Sequence, residues 1–168
     1  MKAMLFVLGL GAAAASFVQD ASGAATQRQM DVATRGADVM PFDLAATTHV
    51  FTKTDFGGIQ RVVTKAGGDT AQIELVRQHL QDIQASFQKG DFSGPSHIHG
   101  EDMPGLATLR AAKPGQLTIS YSKVKNGAEL QYRAHSPELV AALHTWFDAQ
   151  LADHGHDAMA GHAHHHHQ

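Results

Sequence analysis

The sequence predicts an α+β fold in which two ββα halves form a four-stranded antiparallel sheet with two long helices on one face. Two pairs of β-branched segments are each joined by a turn that contains glycine. Each pair is followed by a segment whose apolar residues recur at helical spacing. The halves also align with each other, because laying Phe147 on Ile83 places Leu151 on Phe87.

The first 24 residues have the composition of a signal peptide. Lys2 precedes an uncharged apolar run from Ala3 to Val18, and Ser22 and Ala24 supply small residues for cleavage near Ala24. The run is shorter than the ~20 residues of a transmembrane helix, and no later segment is more apolar. We therefore expect a periplasmic protein whose mature chain has no membrane span.

Residues 25–46 show no periodicity, and Pro41 interrupts them, so an irregular N-terminal arm is expected there. The α+β domain is expected over residues 47–155. Its first hairpin covers 47–54 and 59–65, and its first helix begins at Asp69 or Thr70 and ends at Gly90. A long loop rich in glycine and proline follows over 91–105.

The second half repeats this order. Its strands are predicted at 116–124 and 128–135, with Asn126-Gly127 as a type I′ turn between them. Pro137 opens the last helix, which Gly155 ends. Residues 156–168 carry no apolar pattern and predict a disordered histidine-rich tail.

Composition limits the chemistry that this chain can perform. The sequence has 13 histidines and no cysteine, so a metal ion would need ligands from His, Met, Asp or Glu. Its net charge is −3 and its Lys and Arg residues are scattered, which argues against nucleic-acid binding.

The best nucleus for a metal site is the pair His97 and His99. In an extended segment, residues two apart point to the same side, so both imidazoles would reach one ion. Met103 follows closely in the sequence and offers a thioether. His49 in the first strand and His144 on the last helix are the other candidate ligands in the fold.

A second group of histidines lies at the C-terminus. We expect His154, His156, His162 and His164 to act there as a flexible chelator for zinc, copper or nickel. An alternative left open by the sequence is that His164 to His167 are an expression tag.

Four segments, MDVATRGADVMPFDL, TTHVFTKT, GDFSGPSHIHGEDMPGL and WFDAQLADHG, carry a resemblance. With them the chain resembles a family of small exported proteobacterial proteins of unassigned function, some of them labelled aspartate carbamoyltransferase. The chain has about half the length of that enzyme and lacks its Ser-Thr-Arg-Thr phosphate loop, for which Thr34-Arg35 is no substitute. The resemblance implies export and one compact domain, and no catalytic residues.

These observations predict a periplasmic metal-binding protein for buffering or delivery, with copper favoured over zinc or nickel. Because imidazole binds metal in its neutral form, its affinity is expected to fall below about pH 6.5. One alternative is a small metal-dependent enzyme with Glu101 or Asp102 as general base. Another is an interaction module that forms a homodimer or binds a periplasmic partner.

Overall fold

A computed structural model describes residues 15–65 and 69–162. Its helices are α1 (Ala15–Val39), α2 (Thr70–Phe87), α3 (Ser93–His99), α4 (Leu106–Arg110) and α5 (Pro137–His154), and its strands are β1 (Thr47–Thr54), β2 (Gly57–Thr64), β3 (Leu117–Val124), β4 (Gly127–Ala134) and β5 (Ala158–Ala160). A short 3-10 turn, Gly155–Asp157, joins α5 to β5. The strand order is β3-β4-β2-β1-β5.

The predicted combination of helices and a sheet is confirmed, but its detail is wrong. The first four strands are antiparallel, as expected, and β5 then adds parallel to β1, so the sheet has five strands and is mixed. Five helices lie within the described residues, and α1 is a third long one. The two elements that the sequence did not predict are α1 and β5. Residues 25–39 of α1 and all of β5 lie in segments that were expected to lack regular structure.

Helix α1 replaces the predicted irregular arm over residues 25–39, whereas residues 40–46 are irregular as the sequence predicted. Its inward positions, Arg28, Val32, Arg35 and Val39, follow helical spacing, and Val32 is fully buried. Two of the four are arginines, whose guanidinium groups bond to other helices. Because charged side chains occupy the inward face, the apolar periodicity that reveals most helices is absent here.

The expected disordered tail is also partly structured. Ala158–Ala160 pair with His49–Phe51 of β1, and the amide of Gly161 donates to the carbonyl of Phe51 at 2.8 Å. Met159 and Ala160 are exposed and only Ala158 packs against the core, so backbone pairing with the open edge of β1 is what places the segment. His164 lies outside the described residues, as do residues 1–14 of the predicted signal peptide.

The second hairpin differs from prediction at its turn. Val124 pairs with Gly127, so the two turn residues are Lys125 and Asn126, and of these Asn126 alone has a positive φ, 65°. A type I′ turn needs a positive φ at both positions, so the predicted turn type is wrong. Gly127 opens β4, where an added Cβ would lie 2.0 Å from the Val62 carbonyl.

The core lies between the sheet and helices α2 and α5. Trp146 of α5 is 1 % exposed and packs against an aromatic group from α2, β4 and the loop before α3: Phe87, Phe92, Tyr132 and Phe147. Side-chain caps start both helices: Asp69 accepts from the amide of Ala71, and Ser136 from that of Leu139. No helix in residues 15–65 or 69–162 has the length and apolar character that a bilayer span requires.

Candidate functional site

The predicted His97–His99 pair does not converge on one ion. Both residues lie in α3, where positions two apart point about 200° away from each other. His97 is consequently exposed and His99 is buried. The prediction failed because it assumed an extended segment.

Two other predicted ligands lie elsewhere in the fold. Met103 is buried, and its Sδ accepts a hydrogen bond from Nε1 of Trp146 at 3.1 Å. Nε2 of His144 lies 2.9 and 3.1 Å from the carbonyl oxygens of Gly57 and Thr54. Since carbonyls only accept, that nitrogen carries the ring hydrogen and offers no lone pair.

Three histidine rings, one of them that of His99, lie close together at the edge of the core. His49 comes from β1, His99 from the end of α3 and His154 from the end of α5. The ring of His154 lies 5.1 Å, centre to centre, from each of the other two. All three line one cavity of about 60 Å³, together with His79 of α2. We call this group the histidine cavity.

A buried carboxylate orients His99. Nδ1 of His99 lies 2.8 Å from Oδ2 of Asp153, and Arg28 of α1 donates to both oxygens of the same carboxylate at 2.5 and 2.8 Å. An ionised carboxylate only accepts, so the hydrogen of His99 is on Nδ1 and the lone pair is on Nε2. Metal-binding histidines in proteins commonly have such a carboxylate behind them.

Helix α1 also holds the end of α3 in place. Nε of Arg35 donates to the carbonyl of Ile98 at 2.7 Å, and Arg28 donates to that of His99 at 3.2 Å. Cationic side chains at a helix C-terminus satisfy its last carbonyls and interact favourably with the helix dipole. The two arginines therefore fix the position of His99.

His49 is 4 % exposed, and its Nδ1 has no hydrogen-bond partner among the described residues. The backbone of Asp157 acts to raise the pKa of this ring, but burial outweighs it and keeps the ring neutral. A neutral imidazole can present its lone pair on Nδ1. A buried polar atom without a partner costs about 1 to 3 kcal/mol of stability.

The cavity keeps its histidines neutral. Burial, reinforced by His154, His79 and His99, lowers the pKa of His49 to about 3. Burial, reinforced by His99, lowers the pKa of His154 to about 4. Burial also lowers the pKa of His99, although Asp153 opposes the shift. Burial acts to raise the pKa of Asp153, but its bonds to Arg28 and His99 prevail, so it stays ionised.

These shifts predict that the metal-free protein loses stability in acid. The unfolded chain takes up a proton on His49 near pH 6.5, whereas the folded chain resists protonation until about pH 3, so stability is complete above pH 6.5 and falls as pH drops below it. We expect His49 alone to cost about 2 kcal/mol at pH 5. Urea unfolding between pH 8 and pH 5 measures this loss, and stability that stays constant over that range would contradict it.

The nitrogen donors of the histidine cavity suit a metal ion, but their present arrangement is not a preformed metal site. No three His, Cys, Asp or Glu side chains in the described part of the chain are arranged to hold an ion. Two imidazoles that share a tetrahedral ion have ring centres about 5 Å apart, close to the spacing of His154 from its neighbours. The required adjustment is rotation of rings about χ2, a torsion with a broad minimum.

Arg28 and Asp153 were not predicted from the sequence, and His154 was expected to act with the tail. The available signal was the position of Asp153 and His154 at the end of an amphipathic helix, because a helix that continues through both residues keeps them against the domain. His49 was proposed as a candidate, and its inward position follows from the alternation of Thr47, His49 and Phe51 along β1.

Comparison of the chain with protein-family models, with curated proteins and with solved structures finds no match. The resemblance to small exported proteobacterial proteins therefore stays a prediction from the segments that carry it. Function is argued below from the site.

Proposed function

We propose that this is an exported metal-binding protein that holds one transition-metal ion through His49, His99 and His154. The observation that carries the proposal is Nδ1 of His49, a nitrogen buried without a partner beside two other neutral imidazoles. Burial of such a nitrogen lowers stability, and a metal ion would satisfy it. Asp153 would support His99 as an outer-shell partner.

Three imidazoles favour copper, zinc or nickel over the hard cations calcium and magnesium. None of the three proposed ligands is a thioether, because Met103 lies in the core beside Trp146, and Met40 lines the cavity but is not one of the ligands. The three ligands therefore suit copper, zinc and nickel alike.

The size of the cavity favours binding over catalysis. About 60 Å³ accommodates an ion with one or two waters, whereas small-molecule sites usually measure roughly 300–1,000 Å³. The residues expected to act as general base are also outside it, since Glu101 pairs with Arg110 and Asp102 is exposed. Buffering or delivery of an ion is the role that these features support.

Export to the periplasm is part of the same proposal. Residues 22–27 are exposed, whereas Arg28 and Gln29 bond to Asp153 and Ala152 of α5. Cleavage after Ala24 would thus leave the contacts that orient His99 intact. The terminal histidines would capture ions near the domain.

The test uses the full chain with His164 to His167 replaced by glutamine, so that the terminal run does not bind the added metal. After fractionation of the expressing bacterium, the protein is expected in the periplasm with Ala25 as its first residue. Competition titration should then detect one Cu(II) or Zn(II) per chain. We expect His49→Gln and His99→Gln each to weaken the affinity for this ion by about 100-fold or more, since outer-shell partners of a metal site alone contribute about 10- to 100-fold.

Exposed histidines supply matched controls. His97→Gln and His135→Gln make the same chemical change at surface positions and should leave the affinity within about threefold, as expected for surface substitutions. Circular dichroism confirms that each variant is folded. The proposal is wrong if the protein binds no tighter than a short histidine peptide, or if the buried and exposed substitutions have equal effects.

A further inference from the structure

A second cavity, of about 250 Å³, lies against the outer side of the histidine cavity. Its walls are α1, the end of α5, the 3-10 turn and Leu44, and they include Met30, Asp153, His154, His156 and Asp157. We call it the vestibule. His154 lines both cavities, so its side chain is shared by the vestibule and the buried site.

The vestibule offers a different set of donors from the histidine cavity. Met30 is 52 % exposed, although methionine is usually buried, and its thioether lines the vestibule with the imidazoles of His154 and His156. The carboxylates are engaged, because Asp157 pairs with Lys65 at 3.1 Å and lies 3.5 Å from Nε2 of His156, and Asp153 pairs with Arg28 and His99. One thioether and two imidazoles are soft donors that suit Cu(I).

The walls that present these donors are held together closely. Nε2 of Gln29 donates to the carbonyl of Ala152 at 2.9 Å and ties α1 to the end of α5. Gly155 has a φ of 54°, and an added Cβ would lie 3.0 Å from the side chain of Gln29. Helix α1 and the 3-10 turn therefore come close at Gln29 and Gly155, the residues next to Met30 and His156.

We propose that the vestibule is a capture site for Cu(I) and that His154 passes the ion from it to the histidine cavity. This inference rests on the proposed function of that cavity. The ion is first held by Met30, His156 and His154. Rotation of His154 about χ2 then carries it inward, where His49 and His99 replace Met30 and His156. Two ligands leave as two others bind and His154 stays bound throughout, so the transfer exchanges ligands without changing the oxidation state of copper.

The experiment measures the stoichiometry and the rate of Cu(I) loading from a bicinchoninate complex under anaerobic conditions. It uses the full chain with His164 to His167 replaced by glutamine. We expect two equivalents, one bound tightly and one weakly. Met30→Leu and His156→Gln should abolish the weak equivalent and slow loading of the tight one by about tenfold, because fewer chains hold a captured ion. The affinity of the tight equivalent should stay within about threefold.

Met159→Leu is the matched control, because Met159 is 54 % exposed but does not line the vestibule, and it should load as the unsubstituted protein does. If Met30→Leu and His156→Gln also load at that rate with two equivalents, the capture site is disproved while the buried site stands. If the protein takes up no tight equivalent, or His49→Gln does not remove it, both proposals fail. His154→Gln should remove both equivalents, and retention of either one by this variant overturns the transfer step.

Discussion

Replacing Asp153 with asparagine is expected to move the ring hydrogen of His99 from Nδ1 to Nε2 and so to remove the lone pair proposed to bind metal. The asparagine oxygen has two competing donors, Arg28 and His99. If the oxygen faces Nε of Arg28, the amide NH₂ faces Nδ1 of His99 and donates to it, which forces the hydrogen to Nε2. In this orientation the NH₂ also meets Nη2 of Arg28, whose bond to the carboxylate is 2.8 Å, whereas the opposite orientation sets the NH₂ against Nε and loses the shorter bond of 2.5 Å. The first orientation is therefore the expected one.

We expect Asp153→Asn to weaken metal binding by about 100-fold, at the upper end of the range for outer-shell partners. Loss of the buried carboxylate should also lower the free energy of unfolding by about 2 to 3 kcal/mol. This is below the usual 3 to 5 kcal/mol for a broken buried ion pair, because the side chain of Arg28 is 49 % exposed and stays solvated.

Long-range ¹H–¹⁵N NMR of the histidine rings measures the tautomer, competition titration measures the affinity and urea unfolding measures stability. Glu129→Gln is the control, because Glu129 also accepts from an arginine, Arg61, but contacts no histidine, and it should cost less than about 1 kcal/mol. An Asp153→Asn protein that keeps the hydrogen of His99 on Nδ1 and binds metal normally would show that Asp153 does not orient this ring.

The parts of the fold that were predicted correctly are those whose pattern is local. Alternating β-branched residues located β1 at 47–54, and apolar residues at helical spacing located α2 and α5. Asp69 was one of two proposed caps for α2, and it is the one that the structure has. In each case the residues that define the element are close neighbours in the sequence.

Helix α3 shows where a local pattern was insufficient. Its seven residues, SGPSHIH, include glycine and proline, and they are too few to establish a helical period. Pro95 is tolerated because it lies in the first turn, where the backbone amides need no partner within the helix. Burial of Phe92 and Ile98 against the domain then stabilises a helix that the sequence alone does not predict.

The histidine cavity could be predicted only in part, because its members come from distant points in the chain. His49, His99 and His154 are brought together by packing of β1, α3 and α5. Arg28 reaches them from α1, a helix whose inward face carries charge in place of apolar residues. The composition pointed to histidine as the residue type of interest. Which of the 13 histidines meet in the cavity depends on tertiary contacts.

Replacing His49 with leucine is expected to stabilise the metal-free protein while abolishing metal binding. Leucine has a similar volume and suits a position lined by Phe42 and Phe51. It removes the buried nitrogen without a partner. We expect a net gain of about 1 kcal/mol at pH 7. At pH 5 the gain should reach about 3 kcal/mol, because leucine cannot be protonated in the unfolded chain.

Gln60→Leu provides the comparison for this prediction. Gln60 is also buried and polar, on the adjacent strand β2, but its Oε1 accepts a hydrogen bond from the hydroxyl of Tyr132 at 2.7 Å. Its replacement leaves that hydroxyl without a partner and should cost about 1 to 3 kcal/mol. Urea unfolding at pH 7 and pH 5 measures both variants. If His49→Leu is destabilising at both values, His49 serves the packing of β1 and not a ligand, since binding sites characteristically retain side chains that reduce stability.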